Sequence, residues 1–173
     1  MMRKKLLYIA VTLDGYIADL NDGLAFLSPY DGLESVARSY KQLLERVDTT
    51  LMGYKTYEVI QNMGEWPYPN MKSYVMSSHK KDNKENIIFK SNLEELLHDL
   101  DHIDGKDIWV IGGGVLIQSM LEKNLIDEFQ IAIVPKILGK GKPLFPEGNY
   151  DIDLKFVNIE NLDGLVMLTY VRK

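Results

Sequence analysis

Apolar positions along the chain follow two different periods. Short, nearly continuous apolar runs such as residues 5–11 and 107–111 are typical of strands buried on both faces of a sheet. Between such runs, segments such as residues 33–47 repeat apolar residues every three or four positions, which is the spacing of one helix face. This alternation predicts a three-layer α/β/α fold with a mixed, mostly parallel sheet. Residues 154–159 and 166–171 flank a turn-rich segment and predict a C-terminal antiparallel hairpin.

The remaining elements are predicted from shorter patterns. Further strands are expected at residues 49–52, 73–77, 87–90 and 129–134, and further helices at residues 55–62, 93–100 and 116–121. Asn92 is expected to cap the helix that follows it. Residues 12–31 are rich in Gly, Asp, Asn and Pro and predict a long loop, and loops of that length often carry function. Without a repeat or a linker, the 173 residues predict a single domain over 1–173.

Composition narrows the class of protein. A hydrophobic fraction of 46% and a charged fraction of 26% are those of a globular domain. The net charge of -5 argues against nucleic-acid binding, and the apolar runs fall short of the roughly 20 residues that cross a bilayer. The chain has no cysteine, which excludes disulfides, thiolate metal sites and cysteine nucleophiles. We therefore expect a cytoplasmic protein without nucleic-acid or membrane partners.

The strongest local signal for a ligand is the segment Gly112-Gly113-Gly114, which follows a buried strand and precedes a helix. Ligands of such sheets bind at the carboxyl ends of the strands. Glycines let the backbone approach a phosphate, and the helix that starts near Val115 supplies free N–H donors. The alternative is a tight turn without a ligand. The segment is not a G-x-G-x-x-G fingerprint, because Ile117 stands where the third glycine belongs.

A second segment, Gly53-Tyr54-Lys55-Thr56, repeats this design of strand end, glycine and helix start. The Thr56 hydroxyl and the Lys55 ammonium are suited to phosphate, although an ordinary capped helix explains the same residues. Two phosphate-sized cradles in one small domain suit a dinucleotide better than a mononucleotide.

A third segment, Ser77-Ser78, ends a predicted strand and is followed by Lys80 and Lys81. These side chains are suited to a ribose 2′-phosphate, and a solvated loop is the alternative reading.

Other patterns carry less information. Asp14 precedes Gly15 after the first strand, as a candidate acid or simply as a turn signal. Residues 135–146 superficially suggest a P-loop, but the Gly-Lys-Ser/Thr order is absent and a proline follows Lys142. We therefore interpret this segment as a substrate-mouth loop or a plain basic loop. His98 and His102 share a helix face without an evident third ligand, so we predict no metal site.

Together these segments resemble the dihydrofolate reductase superfamily, most closely the branch with the reductase domain of the bifunctional riboflavin-biosynthesis deaminase/reductase and its stand-alone relatives. The resemblance rests on Thr12-Leu13-Asp14-Gly15, Met52-Gly53-Tyr54-Lys55-Thr56-Tyr57, Met76-Ser77-Ser78, Ile111-Gly112-Gly113-Gly114 and the segment from Pro135 to Phe145. They occur in the family's order and spacing, from about residue 5 to the C-terminus.

The resemblance implies an NADPH site and leaves NADH open. The residues implied are Gly112, Gly113, Gly114, Val115 and Leu116 on one side of the pyrophosphate, Gly53, Tyr54, Lys55 and Thr56 on the other, Ser77 and Ser78 at the adenosine ribose, and Ala10 at the nicotinamide. The peptide bond between the first two glycines is implied to be cis. Members commonly carry an arginine where this chain has Tyr54, so Lys55, Lys80 or Lys81 is expected to meet the 2′-phosphate.

The resemblance also implies hydride transfer to a ribosylamino-pyrimidine or another small heterocycle. Asp14 is the first candidate for proton donor or substrate anchor, with Glu34 and Asp31 in reserve. Dihydrofolate reductases carry an inward acid near the start of the 33–47 helix and a tyrosine at position 117, and both are missing. A folate, pterin or carbonyl reductase and a non-catalytic dinucleotide-binding protein stay open as alternatives. A homodimer is implied, with the apolar strand 165–171 as its candidate edge.

Overall fold

The central element of the fold is an eight-stranded sheet, seen in a computed structural model that describes residues 2–79 and 81–173. The strands are β1 (Lys5–Thr12), β2 (Tyr16–Ala18), β3 (Val47–Gly53), β4 (Lys72–Met76), β5 (Ile87–Lys90), β6 (Asp107–Gly112), β7 (Glu128–Val134), β8 (Lys142–Pro143), β9 (Leu154–Leu162) and β10 (Leu165–Arg172). The α-helices are α1 (Glu34–Arg46), α2 (Tyr54–Asn62), α3 (Leu93–Asp101) and α4 (Gly114–Glu122), and a 3₁₀-helix spans Ala25–Tyr30.

The strand order is β5-β4-β3-β6-β1-β7-β10-β9, with β2 and β8 forming a separate ribbon. Neighbours from β5 to β7 run parallel, whereas β10 runs antiparallel to both β7 and β9. The mixed sheet and its closing hairpin confirm the predicted fold class. Because the first six strands are parallel, their carboxyl ends meet at one edge of the sheet, where loops are free to build a site.

Helices cover both faces of the sheet and make it the middle of three layers. Leu6 and Leu7 are both fully buried although they point to opposite faces. Leu6 packs in one cluster with residues of α1 and α2 such as Leu43 and Tyr57, and Leu7 packs in another with α3 and α4. This double burial explains why the strands appear in the sequence as continuous apolar runs.

Two predictions for local structure need correction, and one is confirmed. Residues 12–31 are not a structureless loop, because they contain β2 and the 3₁₀-helix. A strand of three residues and a short 3₁₀ turn leave no periodicity to detect. Strand β10 is not an edge, since it lies between β7 and β9. The Asn92 cap is confirmed, because its side chain accepts a hydrogen bond of 3.1 Å from the Glu95 N–H. Within residues 2–79 and 81–173, every helix is too short or too polar to cross a membrane.

Candidate functional site

The carboxyl edge of the sheet opens between β1 and β6. The ladder between these two strands runs from Lys5–Ile108 to Leu7–Val110, while β1 continues to pair with β7 as far as Thr12–Val134. The two strands therefore part where Ala10 lies on β1 and Gly112 ends β6. Ala10 is half-buried at this opening, which is where it was predicted to line a nicotinamide pocket.

The first glycine cradle lies at the end of β6. Gly112 has a φ of 120°, a conformation that side chains rarely adopt, and the Gly112–Gly113 peptide bond is cis, as the resemblance implied. Gly113 caps α4, and no side chain among the described residues bonds the free N–H groups of the first turn. These groups make the turn a site suited to an anion. Val115 points to solvent, while the Leu116 side chain is buried in the core and leaves only backbone to the site.

The second cradle abuts the first. Strands β3 and β6 are neighbours, and Met52 pairs directly with Gly112. A Cβ added to Gly53 would lie 4.0 Å from the Gly112 carbonyl oxygen, and one added to Gly113 would come within 2.9 Å of the Thr56 hydroxyl. The two turns thus lie against each other, and a side chain at Gly113 would collide with the Thr56 hydroxyl. The tertiary structure brings the two cradles together, as a dinucleotide site requires.

Tyr54 and Lys55 differ in their surroundings at the start of α2. The Tyr54 ring packs against Tyr57 and Phe89, with ring centroids 5.8 and 6.3 Å away. The Lys81 ammonium lies 4.8 Å from the Tyr54 ring centroid, which is a cation–π contact. The Lys55 side chain is exposed. A lysine therefore stands beside the position where the family commonly has an arginine.

Ser77 and Ser78 follow β4 at the same edge. Met76 pairs with Gly53, so both serines come directly after a residue that faces the second cradle. The Ser77 hydroxyl donates to the His79 carbonyl at 3.0 Å in a local turn, and Ser78 is exposed. Lys80, the other lysine predicted here, lies outside the described residues.

Asp14 is held in a way that argues against a role as proton donor. Its carboxylate accepts hydrogen bonds from the Thr12 hydroxyl at 2.6 Å, the Leu138 N–H at 3.0 Å and the Gly139 N–H at 2.7 Å. The bond from Thr12, followed by the backbone bonds from Gly139 and Leu138, lowers the pKa of Asp14 to about 2. A carboxylate with these partners is ionised at neutral pH, so the structure favours Asp14 as an anchor for residues 135–145.

The reserve acids lie at the start of α1 and just before it. Glu34 is the first residue of α1 and Asp31 follows the 3₁₀-helix, and both are exposed. No described residue forms a hydrogen bond or an ion pair with either carboxylate. Their roles as reserve proton donors therefore stay predictions.

Residues 135–145 form a strap at the carboxyl edge of the sheet. The sequence left this segment open as a substrate-mouth loop or a plain basic loop. Strand β8 of the strap pairs with β2, and Lys142 forms an ion pair with Asp22. A Cβ on Gly114 would lie 3.9 Å from the Pro143 carbonyl oxygen, so the strap reaches the first cradle. The strap also packs closely against β2, since a Cβ on Gly141 would lie 2.4 Å from the Ala18 carbonyl oxygen.

The two histidines that were predicted to share a helix face lie at the end of α3. His98 and His102 lie side by side on α3, with ring centroids 4.4 Å apart, and Nδ1 of His102 is bonded to the His98 carbonyl. Across residues 2–79 and 81–173, no group of three His, Asp or Glu side chains is placed to hold a metal ion.

Comparison with known proteins identifies relatives along the whole chain. The model of the RibD C-terminal domain family matches residues 4–168. The Bacillus subtilis (strain 168) protein YwjB is 32% identical over 175 residues, which cover 99% of each chain. YyaP of the same organism is 32% identical over 187 residues, which cover 97% of this chain and 94% of YyaP.

Solved structures agree with these relatives. A protein from Shewanella sp. PV-4 named for riboflavin biosynthesis superposes with a TM-score of 0.88 at 31% identity, covering 100% of this chain and 99% of the other. Enterococcus faecalis dihydrofolate reductase, complexed with NADP(H), gives 0.73 at 19% identity and covers 100% and 99%. The Thermotoga maritima bifunctional deaminase/reductase gives 0.74 at 18%, with 99% of this chain matching 57% of that one.

The similarity to the Enterococcus and Thermotoga structures shows the fold. The family is shown by the family model and by YwjB. The family model spans nearly the whole chain, and YwjB is similar from end to end. The protein therefore belongs to the RibD C-terminal domain family and has a dihydrofolate reductase-like fold.

Proposed function

We propose that this protein is an NADPH-dependent reductase that transfers a hydride to a small heterocyclic substrate of the ribosylamino-pyrimidine class. Membership of the RibD C-terminal domain family supports a RibD-like reductase. The Thermotoga relative is named a 5-amino-6-(5-phosphoribosylamino)uracil reductase, and the Enterococcus structure contains NADP(H). These names supply the substrate class and the cofactor of the proposal.

The observation that carries the proposal is the junction of the two glycine cradles. The turns at Gly53 and Gly113 lie side by side, and the helices that follow them offer free N–H donors to a pyrophosphate. The parting of β1 and β6 beside Ala10 offers a slot for a flat ring. Bound NADPH would supply the hydride, and the chain's own residues would hold the reacting partners in position.

Recognition of a 2′-phosphate is proposed for Lys81. Tyr54 replaces the family's arginine, and its ring instead supports the Lys81 ammonium by the cation–π contact. The ammonium lies near the segment that follows β4, where Ser77 and Ser78 were predicted to meet the adenosine ribose. A 2′-phosphate there would be attracted by the Lys81 ammonium. The uncharged 2′-hydroxyl of NADH would not gain this attraction.

The proposed cofactor site is tested by titrating the protein with NADPH and NADH while tryptophan fluorescence is recorded. Trp109 packs against Tyr8 and Tyr68, and Trp66 packs against Tyr57, so both tryptophans lie on the α1/α2 face of the sheet. We expect NADPH to bind at least about tenfold more tightly than NADH. If neither nucleotide binds below about millimolar concentration, the proposed reductase function is wrong.

The role of Lys81 is tested by Lys81→Gln, with Lys41→Gln, at an exposed lysine of α1, as the matched control. We expect Lys81→Gln to weaken NADPH binding by about tenfold and to leave NADH binding unchanged, because only one ligand carries the phosphate. Equal losses for both nucleotides would instead assign Lys81 a structural role. Cofactor binding without turnover of the ribosylamino-pyrimidine or of dihydrofolate would favour a non-catalytic nucleotide-binding protein.

A homodimer is proposed through the outer edge of the C-terminal hairpin. Strand β9 is the edge of the sheet and exposes Phe156, Val157 and Ile159, which is an apolar edge that a second copy would cover. Light scattering after gel filtration should give a dimer for the wild type and a monomer for Ile159→Lys. Met63→Lys, at an exposed apolar position of another region, should remain a dimer. A wild-type monomer at micromolar concentration would contradict this proposal.

A further inference from the structure

Two serine hydroxyls of α1 are buried against the sheet, and only one of them has a partner. Ser35 and Ser39 lie four residues apart, on the same face of the helix. The Ser39 hydroxyl is bonded to the Tyr8 hydroxyl at 3.1 Å. The Ser35 hydroxyl is closed to solvent and makes no hydrogen bond with any residue in 2–79 or 81–173. A buried hydroxyl without a partner costs free energy, so its retention needs a reason.

The position of α1 on the sheet brings Ser35 beside the opening between β1 and β6. Helix α1 connects the parallel strands β1 and β3, so it runs back against them. Starting from the bond between Ser39 and Tyr8, four residues back along the helix span about 6 Å, and two residues forward along β1 span about 6.6 Å. These steps lead to Ser35 and to Ala10. Ser35 therefore lies at the level where Ala10 is half-buried and the two strands part.

The sheet beneath this level of α1 carries short side chains. Ala10 on β1 pairs with Ala132 on β7, and both pack in the core cluster that includes residues of α1. Two alanines side by side let a flat ring lie close to the sheet. The neighbouring polar residue of the helix, Glu34, is exposed. The Ser35 hydroxyl is therefore the side-chain group of the first turn of α1 that is placed to contact such a ring.

The chemistry of a lone hydroxyl indicates which ligand group it would serve. It donates one hydrogen bond, accepts up to two and carries no charge. The core at this level is apolar, with Phe26, Leu27 and Val36 packed together, so a charged ligand group would lose its hydration without gaining a counter-charge. A neutral carbonyl or ring N–H has no such cost. Because a serine hydroxyl turns between staggered positions, it can meet this group without movement of the helix.

We infer that the Ser35 hydroxyl is a specificity-determining group, which forms a hydrogen bond with a neutral carbonyl or N–H at the edge of the substrate's heterocyclic ring. The inference rests on the proposed function, because it takes the opening beside Ala10 as the place of that ring. The free protein carries the cost of an unpaired hydroxyl, and the bound ring removes it. A ring without a polar edge would leave the hydroxyl unpaired and would be bound more weakly for that reason.

Two alanine variants on the same helix face test the inference, because they should respond in opposite ways. Ser35→Ala removes an unpaired hydroxyl, so the thermal midpoint of the ligand-free chain should stay unchanged or rise. The matched control Ser39→Ala removes a hydroxyl that is bonded to Tyr8, so its thermal midpoint should fall. The probe is 5-amino-6-(5-phosphoribosylamino)uracil, titrated calorimetrically without any nucleotide. It should bind Ser35→Ala about fivefold to tenfold more weakly than the wild type, and Ser39→Ala as the wild type does.

Three results would overturn the inference: wild-type probe affinity in Ser35→Ala, a fall in its thermal midpoint as large as that of Ser39→Ala, or no measurable binding of the probe to the wild type. These results are separate from the test of the cofactor site. If NADPH binds and Ser35→Ala binds the probe as the wild type does, the inference is wrong and the reductase function stands. If the probe binds through Ser35 and neither nucleotide binds, the reductase function is wrong and the role of Ser35 in ring recognition stands.

Discussion

The two edges of the parallel sheet carry different kinds of polar groups. The carboxyl edge carries glycines, hydroxyl groups and loops, and much of its polarity is backbone N–H at the starts of α2 and α4. The amino edge is closed by side-chain ion pairs, among them Arg3–Asp48, Lys5–Asp101 and Arg46 with both Asp107 and Glu128. One edge leaves donors free for a ligand, and the other uses nearly all of them to hold the fold.

This difference teaches where substitutions should affect binding and where they should affect stability. A backbone cradle is lost when a side chain enters it, whereas an ion pair is lost when one partner is removed. Binding and the free energy of unfolding should therefore respond separately to substitutions at the two edges.

The largest expected effect is a loss of nucleotide binding in the variant Gly112→Ala. The φ of 120° at Gly112 disfavours a side chain, and a methyl group there would also meet Ile117, so we expect NADPH affinity to fall by at least about 100-fold. Gly164→Ala is the matched control, because Gly164 has a φ of 108° with open space around it. Both variants should lose some thermal stability, and only the first should lose binding. Equal NADPH affinity in the two would contradict the cradle.

The second-largest expected effect is a loss of stability in the variant Arg46→Ala. Arg46 donates to Glu128 at 2.8 Å and to Asp107 at 3.0 Å. Burial opposes the ionised form of Glu128, but the hydrogen bonds from Arg46 and Gln130 outweigh it and lower the pKa of Glu128. Without the guanidinium, the Glu128 carboxylate, whose side chain is 8% exposed, would have no cationic partner. We therefore expect urea unfolding to show a loss of about 2 kcal/mol in the free energy of unfolding. This value already allows for solvent screening, because the Arg46 side chain is 37% exposed.

The exposed pair Lys123–Glu94 gives the control for that experiment. Both side chains are open to solvent, so Lys123→Ala should cost less than about 0.5 kcal/mol. Neither variant should change NADPH affinity. A loss of nucleotide binding in Arg46→Ala at full stability would show that the two edges are coupled.

A smaller effect is expected from Asp14→Asn, which tests the strap. Losing the carboxylate charge should speed hydrogen exchange of the Leu138 and Gly139 amides by about tenfold, because both donate to Asp14. The folded pKa of about 2 lies below the ordinary 3.8, so the stabilisation is present above pH 3.8 and is lost as the pH falls through about 2. Exchange in the strap should therefore be insensitive to this group between pH 5 and 8. Asp31→Asn, an exposed acid, should leave the strap amides unchanged.

The smallest effect is expected from Glu34→Gln. Glu34 is exposed and makes no hydrogen bond with another described residue, so we expect kcat and NADPH affinity to stay within about twofold of wild type. A loss of kcat by about 100-fold, with an unchanged Kd for NADPH, would restore Glu34 as the proton donor. In that case the first turn of α1 would supply the proton.

The two glycine turns were largely predictable from local sequence, for a physical reason. A glycine between a buried strand and a helix is visible in the sequence because the backbone itself forms the cradle, as at Gly53 and Gly113. The contact of Lys81 with Tyr54 was not predictable, because a cation–π pair between residues 27 positions apart leaves no periodic pattern. The pairing of the strap with β2 was not predictable for the same reason, since β2 and β8 are short and pair across a long separation.

The sequence by itself determined the layer order, the parallel core with its closing hairpin and the positions of both glycine turns. These depend on hydrophobic period and on residues with special backbone freedom, which act over a few positions. Only the tertiary structure decided that the two turns abut, that β9 rather than β10 forms the edge, and that Asp14 anchors a strap. These outcomes depend on contacts between distant segments, in which Asp14 meets Leu138 and Gly139 and no local pattern records the partner.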